Sequence, residues 1–285
     1  PGERIERRRS DLGSAMAGAG RFSDLGTDLD SAFRLPPGTL GFDPDFMRIP
    51  GHGNQEPNDQ GQGGITVQAI IPRLNSTKLA LHFVNYHSRL PLIGARTADA
   101  AAVAATSPAA VAARAAALAP VYEAEGLSTE QSALAAASAA STLTIGEYAN
   151  DASYFAEYPE NIRMLGFSFN TATMRTGTLL SGEISHHFGF PFQIYPGDVI
   201  NAAFSPIAFT PIYGKGPLGA FGPSEAIPSF VRLGKTQVEL GLRQLLGPRF
   251  GASQSILGID VGWAHVYDMP DSDQLRLSAP GVTGP

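Results

Sequence analysis

The stretch "KTQVELGLRQLL", Lys235 to Leu246, places charged or amide side chains at Lys235, Gln237, Glu239 and Arg243 and apolar ones at Val238, Leu240 and Leu242. A period of two belongs to a β-strand, whose successive side chains point to opposite faces. The same alternation recurs along the chain. Ile65, Val67, Ala69 and Ile71 oppose Thr66 and Gln68 in "GITVQAII", and Leu79, Leu81 and Phe83 oppose Lys78, Ala80 and His82 in "TKLALHFVNY". Leu165, Phe167 and Phe169 oppose Gly166, Ser168 and Asn170, and Leu180, Ile184 and Phe188 oppose Ser181, Glu183, Ser185 and His187. Leu257, Ile259, Val261 and Trp263 oppose Gly258, Asp260, Gly262 and Ala264.

These runs fall into three pairs, each joined by a short link: "LNS", the region of "ATMRTG", and "GPRFGAS". Long segments, roughly residues 87 to 160 and 190 to 229, separate one pair from the next. Short turns on one side and long loops on the other describe an outer-membrane barrel. A β-sandwich has no such systematic asymmetry.

The composition agrees with this reading. Only 16% of the 285 residues are charged, against about 25% in an ordinary soluble domain, while 32 Gly and 22 Pro supply many turns. No segment holds enough consecutive apolar residues for a transmembrane helix, so a membrane must be crossed by strands. The net charge of -6 and the lack of a basic stripe interleaved with aromatics argue against nucleic acid as a partner. The basic run "RIERRRS" reads as a solvated tail. With no cysteine, disulfides, thiol catalysis and thiolate metal sites are all excluded. The opening "PGERIERRRS" shows no signal-peptide pattern, so either a signal has been removed or the chain is an internal piece.

Residues 1–63 are rich in Gly, Pro, Asp and Asn and read as an irregular extracellular loop, followed by a barrel segment over 64–285. Within it, at about residues 97–143, an alanine-rich stretch reads as two helices inserted in a loop. Ser107 caps one that starts at Pro108, and Ser128 with Gln131 has capping-box spacing. Their apolar residues are nearly all alanine, so they cannot form a second layer over the sheet.

Backbone groups in hydrocarbon must all be paired, so a sheet that spans a membrane closes into a barrel. The expected fold is all-β: an antiparallel up-and-down transmembrane β-barrel, with about six strands in this piece and an Ala-rich helical loop insertion. The lipid-facing set is then Leu79, Leu81, Phe83, Leu165, Phe167, Phe169, Val238, Leu240, Leu242, Leu257, Ile259, Val261 and Trp263, with Ile65, Val67, Ile71, Leu180 and Ile184 beside them. The lumen-lining set is Thr66, Gln68, Lys78, His82, Ser168, Asn170, Glu183, Ser185, Lys235, Gln237, Glu239, Arg243 and Asp260. This division keeps Lys and Arg off the lipid side, where each costs about 2–4 kcal/mol near the midplane. Tyr86, Trp263 and Tyr267, near strand ends, suit an interfacial aromatic girdle.

Catalytic patterns are weak. His186 and His187 are strand neighbours and point apart, so they cannot chelate one metal together, and no cofactor is expected. Ser185, His82 and Glu183 supply the residue types of a hydrolase triad, but no nucleophile elbow accompanies them.

Three stretches carry a resemblance: "QEPNDQGQGGITVQ" leading into "LALHFVNYHSRLPLIG"; "ANDASYFAEYPENIRMLGFSFNT" with "GTLLSGEISHHFGFPFQI"; and "QVELGLRQLLGPRFGASQSILGIDVGWAHVYDMP". Over about residues 54 to 285 the chain resembles the proteobacterial family known as domain of unknown function 1302. The resemblance implies a many-stranded outer-membrane barrel, longer than this chain, that acts as a channel for uptake or transfer of small hydrophobic molecules or lipids. It implies outer-membrane lipid as surroundings, and a periplasmic lipid-carrier-like protein and an inner-membrane transporter of the resistance-nodulation-division class as partners. It supplies no catalytic residues. Two other readings are a plugged surface barrel whose loops bind a partner and an outer-membrane hydrolase.

Overall fold

The computed structural model describes residues 49–173, 175–210 and 216–278. Among these residues ten strands and four α-helices follow in chain order: β1 (Gly63–Ile71), β2 (Thr77–Tyr86), β3 (Leu92–Arg96), α1 (Ala100–Ala105), α2 (Pro108–Ala124), α3 (Thr129–Asp151), β4 (Ser153–Glu157) and β5 (Ile162–Ala172). They continue with β6 (Thr178–Ile194), α4 (Pro196–Ala203), β7 (Ala226–Ile227), β8 (Phe230–Arg249), β9 (Ala252–Val266) and β10 (Leu277–Ser278). Six long strands form one antiparallel sheet in the order β1-β2-β5-β6-β8-β9, and the two-residue β10 pairs with the end of β6. This sheet is open: among the described residues β1 and β9 are its edges.

The three predicted hairpins are β1–β2, β5–β6 and β8–β9. A 3-10 turn at Pro72–Leu74 closes the first, with Asn75 and Ser76 in left-handed backbone that reverses the chain. In the third, the strands reach to Arg249 and Ala252, so the predicted seven-residue link shrinks to Phe250 and Gly251, both at positive φ. The antiparallel order puts these three turns at one end of the sheet and both long connections at the other.

At that second end the long connections fold into a cap. A small sheet, β4-β3-β7, packs with α4 and the C-terminal half of α3 around Tyr148, Ile194, Val199, Phe204 and Ile227, all fully or almost fully buried. Tyr148 donates its hydroxyl to the Ala203 carbonyl at 2.8 Å, and burial holds its pKa well above the usual phenol range. Arg276 stacks over the Tyr195 ring and forms an ion pair with the buried Asp198, which fixes the segment before β10 to α4. Residues 50–55 lie along β4, with the bonds Tyr154 N–H to Pro50 O at 3.1 Å and Gln55 N–H to Ala156 O at 2.8 Å. The irregular loop expected over 1–63 is thus part of the cap in its described portion, and residues 1–48 lie outside the described residues.

The helical insertion differs in detail. Three helices form instead of two, because Thr106 and Ser107 break the alanine run, and α3 continues past residue 143 to Asp151. Ser107 caps α2, and Ser128 and Gln131 make the reciprocal capping box. The long segment from Phe190 to Ser229 that separates the second pair from the third holds the last residues of β6, the helix α4 and the strand β7. A bulge between His187 and Phe190, with Gly189 at φ 71°, resets β6 so that it pairs onward past Pro191.

Candidate functional site

The pairing register decides which side chains share a face. Across the middle of the sheet, Gln68, Ala80, Ser168, Glu183, Glu239 and Gly262 stand in one row, and Thr66, His82, Gly166, Ser185, Gln237 and Ala264 in the next. Lys78, Asn170, Ser181, Gly241 and Asp260 form a third row. Lys235 stands opposite His187, and Arg243 opposite Gly258. Every residue of the predicted polar set therefore lies on one face. A concavity of about 580 Å³ opens on it, lined by Gln68, Lys78, His82, Ser168, Asn170, Glu183 and Glu239.

This face is cross-linked side chain to side chain. Thr66 Oγ1 lies 3.1 Å from His82 Nδ1, and His82 Nε2 lies 3.2 Å from Ser168 Oγ. Arg243 donates to both oxygens of Asp260 at 2.8 and 2.9 Å, over the bare Gly241. Glu183 and Glu239 sit directly opposite each other, with no ion pair to either among the described residues. Like charges so placed repel.

The other face carries the apolar set. Val67, Leu81, Phe167, Ile184, Val238 and Trp263 stand in one row, and Ala69, Leu79, Phe169, Gly182, Leu240 and Val261 in the next. The Phe169 ring lies against the Gly182 backbone, where any side chain would collide with it. Nothing covers this face among the described residues: Val67 is 64% exposed, Leu240 51%, Ile259 51% and Trp263 56%. At its cap end polar and aromatic groups gather. His186 bonds Thr236 at 2.8 Å, Thr236 contacts the Tyr267 hydroxyl at 3.1 Å, and the Trp263 and His265 rings stack with centroids 5.8 Å apart.

The weak catalytic patterns of the sequence stay apart in the fold. His186 and His187 do point to opposite faces, and no group of His, Asp and Glu suited to a metal exists among the described residues. Ser185 and His82 lie on strands separated by β5, and the imidazole is engaged by Thr66 and Ser168, so the three residue types of a triad are not assembled. Tyr86, assigned to the girdle from its place near a strand end, sits instead on the polar face, edge-on to His187 at 6.3 Å. Strand parity from Lys78 already places it there.

Sequence reasoning missed a second patch on the polar face, nearest the cap. Tyr86, Met164, His187, Phe190, Phe192, Leu233 and Lys235 converge there through the register of β2, β5, β6 and β8. His187 and Phe190 pack edge-on at 5.5 Å, Phe190 and Phe192 at 5.3 Å, and Lys235 Nζ lies 4.7 Å from the Phe190 ring centre. Past Phe188 the bulge shifts parity, so counting by twos from Leu180 assigns Phe190 to the wrong face.

The family model described as "Protein of unknown function (DUF1302)" matches residues 16–283. No curated protein and no solved structure matches the chain.

Proposed function

The chain belongs to the DUF1302 family, and we propose that it forms part of the wall of a bacterial outer-membrane β-barrel that passes small hydrophobic molecules or lipids. One observation carries this reading. Among the described residues the six-strand sheet carries no second layer on its apolar face, which stays largely exposed, and it gathers its polar groups on the opposite, hollowed face. In water such a face would be an apolar patch far larger than monomeric proteins tolerate. In a bilayer it meets hydrocarbon, the hollow becomes a wet lumen, and the His186, Tyr267 and Trp263 cluster falls at the headgroup level.

Closure of the barrel supplies partners for the edges β1 and β9. In this reading the turns face the periplasm and the cap stands outside. A periplasmic lipid-carrier-like protein and an inner-membrane resistance-nodulation-division transporter would then take the solute onward. The test is reconstitution in liposomes. A heat-modifiable, β-rich protein that admits a hydrophobic solute supports the proposal, and a water-soluble monomer overturns it.

A second reading rests on the cap itself. Its tight core around Tyr148 and Phe204 gives the long loops a fixed shape suited to binding a partner. A folded barrel with no solute flux would favour that role.

A further inference from the structure

We propose that the patch at the cap end of the polar face binds the head and first carbons of a long-chain carboxylate. The inference rests on the barrel reading, in which this face lines the lumen, and names the solute class. It starts from two polar groups. His187 is 7% exposed, and its Nδ1 is buried with no hydrogen-bond partner among the described residues. A buried ring nitrogen without a partner is costly, and a ligand oxygen or hydroxyl removes the cost. Lys235 stands directly opposite His187 in the register, partly buried, with no carboxylate at ion-pair distance among the described residues. It rests over the Phe190 ring, a contact that leaves ammonium protons free for an anion.

The surroundings select an amphiphile over a small hydrophilic anion. Phe190, Phe192 and Leu233 continue the patch toward the cap, and Met164 flanks His187 on the β5 side. Methionine and aromatic edges adapt to a flexible chain. In the opposite direction the paired Glu183 and Glu239 stand four residues along each strand, about 13 Å away at the rise of a β-strand. Those carboxylates repel an anionic head, so the head stays at Lys235 and the chain lies toward the cap.

The experiment uses the complete protein, purified in detergent and shown to be heat-modifiable, with palmitate and hexadecanol as probes in equilibrium binding. Wild type is expected to prefer palmitate by about tenfold or more, the usual worth of a charge-assisted hydrogen bond. Lys235→Met removes that preference while keeping the apolar lining, Lys235→Arg retains it, and His187→Phe weakens both probes. Equal affinity for the two probes in wild type, or a preference that survives Lys235→Met, overturns the proposal. A heat-modifiable barrel that binds neither probe also overturns the subsite and leaves the barrel reading standing. Failure of the protein to form a heat-modifiable barrel sinks the barrel reading, and the subsite with it.

Discussion

Leu240 and Glu239 are neighbours in sequence and stand on opposite faces of β8, which makes them a direct probe of what each face meets. Leu240 lies between Gly182 and Val261 in the middle of the apolar face, half exposed. An arginine at the lipid side near the midplane costs about 2–4 kcal/mol. Leu240→Arg is therefore expected to lower unfolding free energy in vesicles by that amount. Glu239→Arg, on the other face, replaces a like-charge opposition to Glu183 with an ion pair and leaves stability unchanged or raised. Urea titration of the two variants in lipid checks this. If the sheet stood in water, both sites would be ordinary surface positions, with effects within about 0.5 kcal/mol. At this scale the sequence was highly legible, because strand parity alone sorts Lys235, Gln237 and Glu239 from Val238 and Leu240. It failed where parity is reset, at the bulge before Phe190, and where a side chain does the work of a backbone. Gln193 is such a case: almost wholly buried, it accepts from Ile93 N–H at 2.6 Å and donates to the carbonyls of Ile93 and Ser229. It docks β3 onto β6 as an extra rung, and nothing local in "PFQIY" announces that role.

Among the elements, those whose partners are near in sequence were readable and those paired over long distances were not. The hairpins and the caps at Ser107 and Ser128 follow from local pattern and hydrogen-bonding chemistry. The strands β3 and β4 pair across the whole helical insertion, and β10 reaches back to Gln193 and Ile194, so only tertiary contact defines them. Pro191 lies within β6, although proline is ordinarily a signal against a strand because it breaks a ladder. The α2–α3 hairpin has two parts. Its tip packs on itself, with Tyr122 against Ala136 and Ala139, and Arg114 ties the two helices together through Glu147 at 2.6 Å and Thr144 at 3.1 Å. The base of α3, from Tyr148 to Ala152, belongs to the cap core. Replacing residues 108–140 by a short flexible linker is accordingly expected to leave the heat-modifiable fold and its circular dichroism strand signal intact. Tyr148→Ala, which removes a buried ring and its bond to Ala203, is expected to cost about 3–5 kcal/mol in the cap, read as new protease sensitivity in the long loops. Loss of the barrel on trimming the tip would show that the hairpin supports the wall.

For the whole molecule, the decisive question is what satisfies the two edges of the sheet. β1 presents nine residues and β9 fifteen, and half of each strand's N–H and C=O groups point away from β2 and β8. In water those groups bond to solvent, and the exposed apolar edge invites association. In hydrocarbon each unpaired group costs several kcal/mol, so both edges must be joined to strands, from the same chain or from another copy. The two situations differ in one observable, the exchange of the outward-pointing amides of Ile65–Ile71 and Ala252–Val266. In proteoliposomes these amides are expected to exchange as slowly as those of β5 and β6 at the centre of the sheet. Fast exchange confined to β1 and β9, with β5 and β6 protected, would mean an open sheet lying in water and would remove the membrane barrel. Slow exchange in both edges has a further consequence: closure turns the hollow of the polar face, with its Thr66–His82–Ser168 bonds and its opposed Glu183 and Glu239, into an enclosed wet passage leading from the turns to the cap.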